Sequence, residues 1–480
     1  MEKKEENWII CQKCKGQGKK RKSLPKKARL NYQTELDFFQ KNNFKGTAPI
    51  RPKGKLQTCS NCKGSGLVHS NIQPVVNKEK YPHVAIIGGG IGGVALAVAC
   101  LHRQIPFTLY ERDNNFEARS QGYGLTLQQA SKAITGLGIT SLEKGITSTR
   151  HVVHNSEGKI IGEWGIRKWG RSEKKASPKR KNIHIARQSL RLALLEQLGG
   201  HNKVKWGHQL LSFNENEDKD VQLTFKVKNE IKNINTDLVV GADGIRSTVR
   251  KILIGEQTSP LHYLDCIVIL GICPLKHLKN IESPLLDSKT VFQTANGNER
   301  IYMMPFDPDT IMWQLSFPIS EKKAKELNKL GPKALKKEAI KRTQWHSPIP
   351  EIVAATQESE ISGYPVYDRE LLKPELLKKG LSVTLIGDAA HPMSPFKGQG
   401  ANQALLDALS LAREISKGCS SISKWKEIGI RKSVLNKFES NMIERSASKV
   451  KSSAEAAQLL HTEIVLKEGN GPRGKYRNED

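Results

Sequence analysis

A glycine-rich run near residue 90 has the residue types and spacing of a phosphate-binding turn. Gly88, Gly90 and Gly93 follow a short apolar segment and precede a longer one. The first glycine makes a tight turn, the second lets the backbone approach a pyrophosphate, and the third lets a helix pack closely on a strand. Glu111 ends a second apolar run 23 residues after Gly88, where it can accept hydrogen bonds from ribose hydroxyls. A dinucleotide-binding site is therefore predicted in this segment.

The elements that must position these residues follow from the apolar pattern. Residues 83–87 predict a strand, residues 94–103 a helix and residues 107–110 a second strand. Residues 84–101 carry no charge, but their cluster of glycines fits a strand–turn–helix better than a bilayer span. No membrane span is predicted.

Two later segments also deliver polar residues from the ends of predicted strands. Residues 237–250 run into a polar turn with Asp243 and Gly244, and residues 381–408 repeat that plan with Asp388 at the strand tip. A carboxylate in this position can hold a ribityl or ribose hydroxyl. A proline-bearing loop and a glycine-rich stretch then open a helix near Ala401, whose N–H groups can face the electron-rich edge of a flavin ring.

Four of the eight cysteines form two copies of the motif C-x-x-C-x-G-x-G, namely Cys11 with Cys14 and Cys59 with Cys62. Two such pairs supply a closed tetrahedral site for Zn²⁺, which suits a structural metal. Redox-active pairs and two disulfides are the alternatives, but the identical glycine spacing and the lack of an export signal favour zinc. The repeat resembles the cysteine-rich zinc region of DnaJ-type chaperones. Only two of that family's four repeats occur, which implies one zinc ion.

The three nucleotide-binding segments, in this order, resemble those of the single-component flavoprotein monooxygenases of the para-hydroxybenzoate hydroxylase type. The resemblance covers residues 82 to about 415 and includes the whole string G-D-A-A-H-P-x-x-P-x-x-G-x-G-x-N. It implies an α/β fold, in which a Rossmann-like FAD-binding domain carries an inserted mixed β-sheet substrate domain. A small N-terminal zinc-knuckle module precedes it here.

The resemblance also implies which residues bind FAD. The glycine turn and Glu111 would bind the adenosine half, Asp388 the ribityl–pyrophosphate region, and residues 398–402 would lie against the flavin. Arg187 matches an arginine that the family places near FAD, although an arginine at the start of an amphipathic helix is often only surface charge. The complete implied set is Gly88, Gly90, Gly93, Glu111, Arg112, Arg187, Asp243, Gly244, Asp388, Pro395, Gly398, Gly400, Ala401 and Asn402.

The activity that the resemblance implies is oxygenation of an aromatic or polycyclic small molecule. NADH or NADPH delivers hydride to the flavin, the reduced flavin takes up O₂, and the resulting hydroperoxide passes one oxygen to the substrate. The protein must bind FAD, exclude water and position the substrate, so no catalytic side chain is expected. His391 could act as a general base, but we expect it to support its loop.

The predicted domain organisation has five parts. They are a basic zinc-binding module at 1–75, the first part of the FAD-binding domain at 82–255, a substrate domain at 256–360, the second part with C-terminal helices at 361–467, and a polar tail, expected to be disordered, at 468–480. Substrate-domain strands are predicted at 266–272, 290–294, 300–304 and 310–317, and one lysine-rich helix at 322–343. The larger side chains of these strands could line a pocket or form sheet core: Phe292, Tyr302, Met304, Trp313 and Phe317.

The charge of the chain is strongly positive and uneven. The net charge is +29, and residues 1–80 hold 19 Lys and Arg residues against six Asp and Glu residues. Residues 167–181 add eight basic residues opposed only by Glu173. Such surfaces attract nucleic acid, anionic membranes or acidic proteins, but a solvated lysine-rich surface is the commoner case.

We therefore expect a cytoplasmic enzyme that uses O₂ and a small aromatic substrate. A protein partner could bind through residues 1–75, whereas few exposed aromatic residues there argue against nucleic acid. The alternative is a flavin-binding scaffold or redox protein whose basic zinc module recruits a protein or RNA partner.

Overall fold

A computed structural model of the chain describes residues 7–118, 122–166, 182–216, 220–278, 281–419 and 422–474, with the side chains of 422–424 left aside. The chain divides into two compact units, Met1–Val75 and Val76–Asp480. The basic cluster at 167–181 and the last residues of the predicted tail, 475–480, lie outside the described residues.

The secondary structure is rich in short strands. The strands are β1 (Asn7–Ile10), β2 (Lys19–Arg21), β3 (Leu56–Thr58), β4 (Leu67–Ser70), β5 (Val84–Ile87), β6 (Phe107–Tyr110), β7 (Gly124–Leu127), β8 (Ile146–Thr147), β9 (Arg150–Asn155), β10 (Ile160–Trp164), β11 (Ile183–Ala186), β12 (Val204–Lys205), β13 (His208–Glu215), β14 (Val221–Val227), β15 (Glu230–Thr236), β16 (Leu238–Gly241), β17 (His262–Pro274), β18 (Thr290–Ala295), β19 (Arg300–Asp307), β20 (Thr310–Pro318), β21 (Ile361–Asp368) and β22 (Val383–Leu385). The helices are α1 (Lys26–Lys41), α2 (Ile91–Leu101), α3 (Arg187–Leu198), α4 (Thr248–Ile254), α5 (Glu321–Lys329), α6 (Pro332–Arg342), α7 (Ile349–Ala355), α8 (Pro374–Leu377), α9 (Gly400–Gly418), α10 (Ile422–Ile428) and α11 (Asn436–Leu459).

The first unit is built from two small antiparallel strand pairs and one helix. β1 pairs with β4, and β2 pairs with β3. The four cysteines of the paired motifs form its buried cluster, against which Val68 packs. Helix α1 has no buried residue, and its apolar side chains Leu30 and Phe38 are exposed. The apolar core of this unit is therefore little more than the cysteine cluster itself.

A five-stranded parallel sheet organises the nucleotide-binding half of the second unit. Its strand order is β12-β6-β5-β16-β22, and each neighbouring pair is parallel. The residues of β5 and β16 are all buried, which explains their continuous apolar sequences, because a parallel sheet covered on both faces has no solvated side. Because β5, β16 and β22 are parallel neighbours, their carboxyl ends lie at the same edge of the sheet. Helix α2, which follows β5, packs against α3 and α9.

A seven-stranded mixed sheet forms the other half, with the order β10-β9-β18-β19-β20-β17-β21. Only β9 and β18 run parallel, and the other neighbours are antiparallel. The predicted fold class, an α/β nucleotide-binding domain with an inserted mixed sheet, is confirmed. All four predicted substrate-domain strands are present, as β17, β18, β19 and β20.

The predicted boundaries of the substrate domain were too narrow. The segment 256–360 holds four of the seven strands, whereas β9 and β10 come from the chain before it and β21 follows it. The reason is pairing between residues distant in sequence, because β9 aligns with β18 from Arg150 opposite Thr290 to Asn155 opposite Ala295. No local pattern in residues 150–164 reveals that partner.

Two further expectations need correction. The single helix predicted at 322–343 is two helices, α5 and α6, because Gly331 adopts a left-handed φ of +83° and Pro332 begins the next helix. The described residues of the predicted disordered tail are also packed, within the second unit, against the end of β10. The Gly469 N–H donates to the Ile161 carbonyl at 2.9 Å, and Arg473 donates to the same carbonyl at 3.0 Å.

Among the described residues, every helix is too short or too polar to cross a membrane.

Candidate functional site

The turn after β5 shows three different uses of glycine. Gly88 has a φ of +109°, and a Cβ there would meet the Ala242 carbonyl oxygen at 2.5 Å. A Cβ on Gly93 would stand 1.9 Å from the Gly88 oxygen, so this glycine allows α2 to pack on the turn. A Cβ on Gly90 would meet no protein atom within 4 Å, because Gly90 faces an open cleft. The backbone at Gly90 can therefore be approached closely by a ligand.

Glu111 is fixed at the edge of this turn. Its side chain is buried, and its carboxylate accepts hydrogen bonds from the Gly89 N–H at 2.7 Å and the Asp113 N–H at 3.1 Å. Both Glu111 and Arg112 line the cleft, and the Arg112 side chain is 61% exposed. A ribose hydroxyl entering the cleft would find the Glu111 carboxylate already oriented by the backbone.

Asp243 serves mainly to build the turn that follows β16. Its carboxylate accepts hydrogen bonds from the Ser247 hydroxyl at 2.5 Å and from the Thr248 N–H at 2.7 Å, at the start of α4. Burial raises the pKa of the Asp243 carboxyl, although these donors oppose the shift. Gly244 follows with a φ of +82° and lines the cleft beside it.

Asp388 is the carboxylate that the fold leaves unpaired in the cleft. It follows β22, and none of the described residues donates a hydrogen bond to it. Desolvation by the surrounding protein raises the pKa of its carboxyl, and the charges of His391 and Arg187 oppose that shift. An unpaired carboxylate at a strand end fits the hydroxyl-rich chain of a flavin nucleotide.

The loop before α9 presents backbone rather than side chains. Pro395, Gly398, Gly400 and Ala401 line cavity walls, and Gly398 has a φ of +57° with open space where a Cβ would stand. The N-terminus of α9, a helix of 19 residues, begins at Gly400. Its first N–H groups and the helix dipole favour an electron-rich group at this place.

Asn402 lies in the first turn of α9, and its side chain forms hydrogen bonds that anchor this loop. Its Oδ1 accepts hydrogen bonds from the Gln128 N–H at 2.8 Å and the Ala130 N–H at 3.2 Å. Its Nδ2 donates to the carbonyls of Thr126 and Gly398, both at 2.8 Å. Asn402 is fully buried, so its side chain joins two walls of the site instead of facing the cleft.

His391 is a buried support for the loop. Its Nε2 lies 2.7 Å from an oxygen of Asp407, and the same oxygen accepts a hydrogen bond from the Gly387 N–H at 2.8 Å. Arg445 holds the other Asp407 oxygen. Burial is the largest single influence and disfavours the charged imidazole, but the charge and hydrogen bond of Asp407, together with the charge of Asp388 and a backbone hydrogen bond, raise the pKa of His391 overall. The histidine is 2% exposed, which fits the expected supporting role.

Two arginines of the site, Arg191 and Arg246, were not predicted from the sequence. Arg187 lines the cleft, as implied by the resemblance, but so do Arg191 and Arg246. Arg191 is buried, and its Nε donates to the Gly89 carbonyl at 2.7 Å while its guanidinium lies over the Phe116 ring. One signal was available, because Arg187 and Arg191 are four residues apart on one helix and share a face. Arg246, in the turn after Gly244, carried no such signal.

The cleft joins a much larger cavity beside the seven-stranded sheet. The cleft holds about 180 Å³ and the cavity about 980 Å³. Five residues line both: Tyr123, Arg246, Asp388, Gly400 and Ala401. Of the side chains proposed for a pocket, Tyr302 and Met304 line the cavity, whereas Phe292, Trp313 and Phe317 are fully buried in the core on the other face of the sheet.

The four paired cysteines of the first unit converge. Their sulfur atoms all lie within 4.8 Å of one another, and all four side chains are buried. Cys11 and Cys59 sulfurs are 3.9 Å apart, and those of Cys14 and Cys62 are 3.6 Å apart. A tetrahedral zinc with bonds of about 2.3 Å requires sulfur separations of about 3.8 Å. The two knuckles are also equivalent, because the N–H groups of Gly18 and Gly66 donate to the sulfurs of Cys14 and Cys62 at 3.2 and 3.3 Å.

The glycine turn, the unpaired carboxylate and the adjoining cavity together define a flavin-nucleotide enzyme. The family described as "FAD binding domain" matches residues 81–420. The match covers well over half of the chain, and the chain therefore belongs to this FAD-binding family.

Individual relatives agree with this assignment. The chain is 30% identical over 336 residues to the aurachin C monooxygenase/isomerase of Stigmatella aurantiaca, which covers 69% of this chain and 80% of the relative. The fold is similar to that of Klebsiella pneumoniae HpxO, solved with FAD and uric acid, with a TM-score of 0.64 and 19% identity over 81% of this chain and 93% of that one. It is also similar to 2,6-dihydroxypyridine-3-hydroxylase of Arthrobacter nicotinovorans, with a TM-score of 0.64 and 17% identity over 83% and 99%. The enzyme class is FAD-dependent monooxygenase.

Proposed function

We propose that the chain uses NADH or NADPH and O₂ to hydroxylate an aromatic or polycyclic small molecule. The observation that carries the proposal is the set of five residues shared by the cleft and the cavity. FAD could bind along the glycine turn with its flavin ring at the start of α9. The ring would then lie where the cleft meets the larger cavity. A substrate in that cavity would then stand directly against the ring.

The residues of the chain bind and shield in this proposal, and none acts as a nucleophile. Gly88, Gly90 and Glu111 hold the adenosine end, and Asp388 holds the ribityl chain. FAD supplies the redox and oxygen chemistry when it is bound. The cavity wall formed by Tyr302, Met304 and their neighbours would shield the reacting centre from water.

Heteroaromatic compounds are the favoured substrates. Uric acid, found with HpxO, and the dihydroxypyridine in the name of the Arthrobacter enzyme are both flat nitrogen heterocycles. The cavity of this chain, at about 980 Å³, lies at the upper end of the range for small-molecule sites, which favours a larger molecule.

The test is spectroscopic. The purified protein is expected to show oxidised-flavin absorption that bleaches slowly under anaerobic NADPH or NADH and faster when a suitable aromatic compound is added. Stoichiometric appearance of a hydroxylated product on admission of air would support the oxygenase. A protein that cannot be reconstituted with FAD, or whose flavin is not reduced by either nucleotide, would refute the proposal.

We also propose that the four converging cysteines hold one structural zinc ion, and that the protein works in the reducing cytoplasm, where such thiols persist. Their sulfur separations support a metal and are far from the 2.05 Å of a disulfide. Elemental analysis should find one zinc per chain. The double variant Cys14→Ser/Cys62→Ser should lose it, whereas Cys419→Ala, a buried cysteine of the second unit, should keep it. Zinc retained in the double variant would reject the site.

A further inference from the structure

Among the described residues that line the large cavity, Arg300 is a deeply buried cation whose charge no described acidic side chain balances. Arg300 begins β19, is 5% exposed, and lines the cavity. Its Nε donates to the Gln293 Oε1 at 2.8 Å. Within the described ranges, no carboxylate pairs with Arg300 and no acceptor receives a hydrogen bond from its two terminal nitrogens. Burial lowers the pKa of Arg300 to about 10, so it still carries its charge at neutral pH.

The strand fixes where this guanidinium lies. Along β19, Arg300, Tyr302 and Met304 face the cavity, whereas Ile301 and Met303 belong to the core on the other side. The guanidinium carbon lies 5.1 Å from the centre of the Tyr302 ring. Gln293 and Tyr302 therefore orient the group, and its remaining donors are left for a ligand.

The rest of the cavity repeats the same charge preference. The described lining contains a single acid, Asp388. It contains six cationic residues, counting Arg300: Arg246, Arg300, Lys325, Lys397, Lys449 and Arg473. Some of these are engaged elsewhere. Lys325, for example, pairs with Glu321 at 2.6 Å and is 59% exposed. Burying a charge without a partner is costly, so a ligand that brings an anion to Arg300 gains an interaction that the protein has left open.

Arg300 is also remote from the end of the cavity where the flavin would lie. That end is marked by Gly124, next to Tyr123, and a Cβ on Gly124 would stand 2.7 Å from the Met304 Cε. Arg300 precedes Met304 by four residues on one strand, and their Cα atoms are therefore about 13 Å apart. A molecule that reaches both places must be longer than a single ring.

We propose that the substrate is an elongated aromatic compound with an ionised oxygen, such as a carboxylate, at the end remote from the oxidised carbon, and that Arg300 binds this oxygen. The proposal rests on the proposed function, because it names the substrate class of that same cavity. Gln293 positions the guanidinium, and the rings of the substrate lie along Tyr302 and Met304.

Calorimetry on the FAD-loaded enzyme tests the proposal without requiring turnover. The probes are 4-biphenylcarboxylate and its uncharged match, 4-biphenylcarboxamide, with benzoate as the short control. The wild-type enzyme should bind the carboxylate about tenfold or more tightly than the amide, since hydrogen bonds to charged groups contribute this much. Benzoate should bind more weakly than 4-biphenylcarboxylate. Equal affinity for the acid and the amide would overturn the proposal.

Variants assign the preference to one residue. Arg300→Met, which keeps an unbranched apolar stem and removes the charged guanidinium, should abolish the preference for the carboxylate. Lys325→Met removes an equal charge from an exposed position, and this variant should keep the preference for the carboxylate. Arg300→Lys retains the charge without the planar guanidinium and should keep part of the preference for the carboxylate. This variant still tests the assignment if Arg300→Met fails to fold. A preference that survives Arg300→Met, or disappears in Lys325→Met, would contradict the assignment.

The outcome is separable from the proposed function. An enzyme that prefers the carboxylate through Arg300 but never hydroxylates any compound would reject the activity and keep the anion site. An active enzyme without the preference would reject the anion site and keep the activity.

Discussion

Replacing Asn402 by alanine should weaken the fold and the flavin site together. The side chain makes four hydrogen bonds, two accepted and two donated, and all of them end on main-chain groups of residues 126–130 and 398. Asn402→Ala removes these hydrogen bonds and leaves their main-chain partners without a replacement, because the position is fully buried from solvent. The segment that contains β7 and the loop that begins α9 would then lose their common anchor.

The magnitude follows from the bond count. Each net hydrogen bond contributes about 1 kcal/mol, which gives about 4 kcal/mol in total. Partial relaxation and water entry reduce this, so the free energy of unfolding of the second unit should fall by about 3 kcal/mol. FAD affinity should fall as well, since Gly398 and Gly400 line the cavity walls that would contact the cofactor in the proposed site.

The assay is urea unfolding of the FAD-loaded protein, followed by tryptophan fluorescence and by the fluorescence of released flavin. Asn202→Ala, at an exposed position, is the matched control and should unfold like the wild type. A loss of less than about 1 kcal/mol in Asn402→Ala, or unchanged flavin retention, would show that these bonds do not anchor the site.

Three further predictions concern packing and charge. Gly93→Ala should destabilise the second unit, because the new Cβ would collide with the Gly88 oxygen. Gly90→Ala should leave the unfolding midpoint unchanged and lower the flavin-to-protein absorbance ratio, because a Cβ there meets no protein atom within 4 Å. Equal behaviour of the two variants would contradict these roles. Burial lowers the pKa of His102 and His184 to about 3, so both stay neutral in the fold while the unfolded chain takes up their protons below about pH 6.5. The urea midpoint should therefore fall between pH 7 and pH 5, and a midpoint that is constant over that range would refute this. Gly162→Ala should release residues 469–473, since its Cβ would lie 2.3 Å from the Gly469 oxygen; limited proteolysis should then cut the C-terminal segment sooner, and an unchanged digestion pattern would speak against the docking.

Local patterns were sufficient for the nucleotide-binding half. The turn at Gly88 to Gly93, the strand ends at Glu111, Asp243 and Asp388, and the loop before α9 each combine a motif with an adjacent element, so sequence neighbours are also neighbours in space. The confirmed strands β17 to β20 were predictable for a similar reason, since their apolar runs are long and continuous.

Long-range pairing explains what the sequence could not show. Nothing near residues 150–164 indicates that β9 lies beside β18, and nothing near Arg300 indicates an unpaired buried charge, which is defined by the absence of a partner. Asn402 was assigned to the cofactor through its motif. The actual contacts of its side chain depend on a segment more than 270 residues earlier in the chain.

The way in which the mixed sheet is assembled limits how the enzyme can be dissected. Its strands come from three separated stretches of chain, and the parallel sheet likewise recruits β22 from beyond the inserted sheet. A fragment ending before residue 361 would lack β21 and β22, and one starting after residue 165 would lack β5, β6, β9 and β10. Neither fragment could close a hydrophobic core, so residues 76–474 must be expressed as one piece for any domain-swap or substrate-cavity transplant.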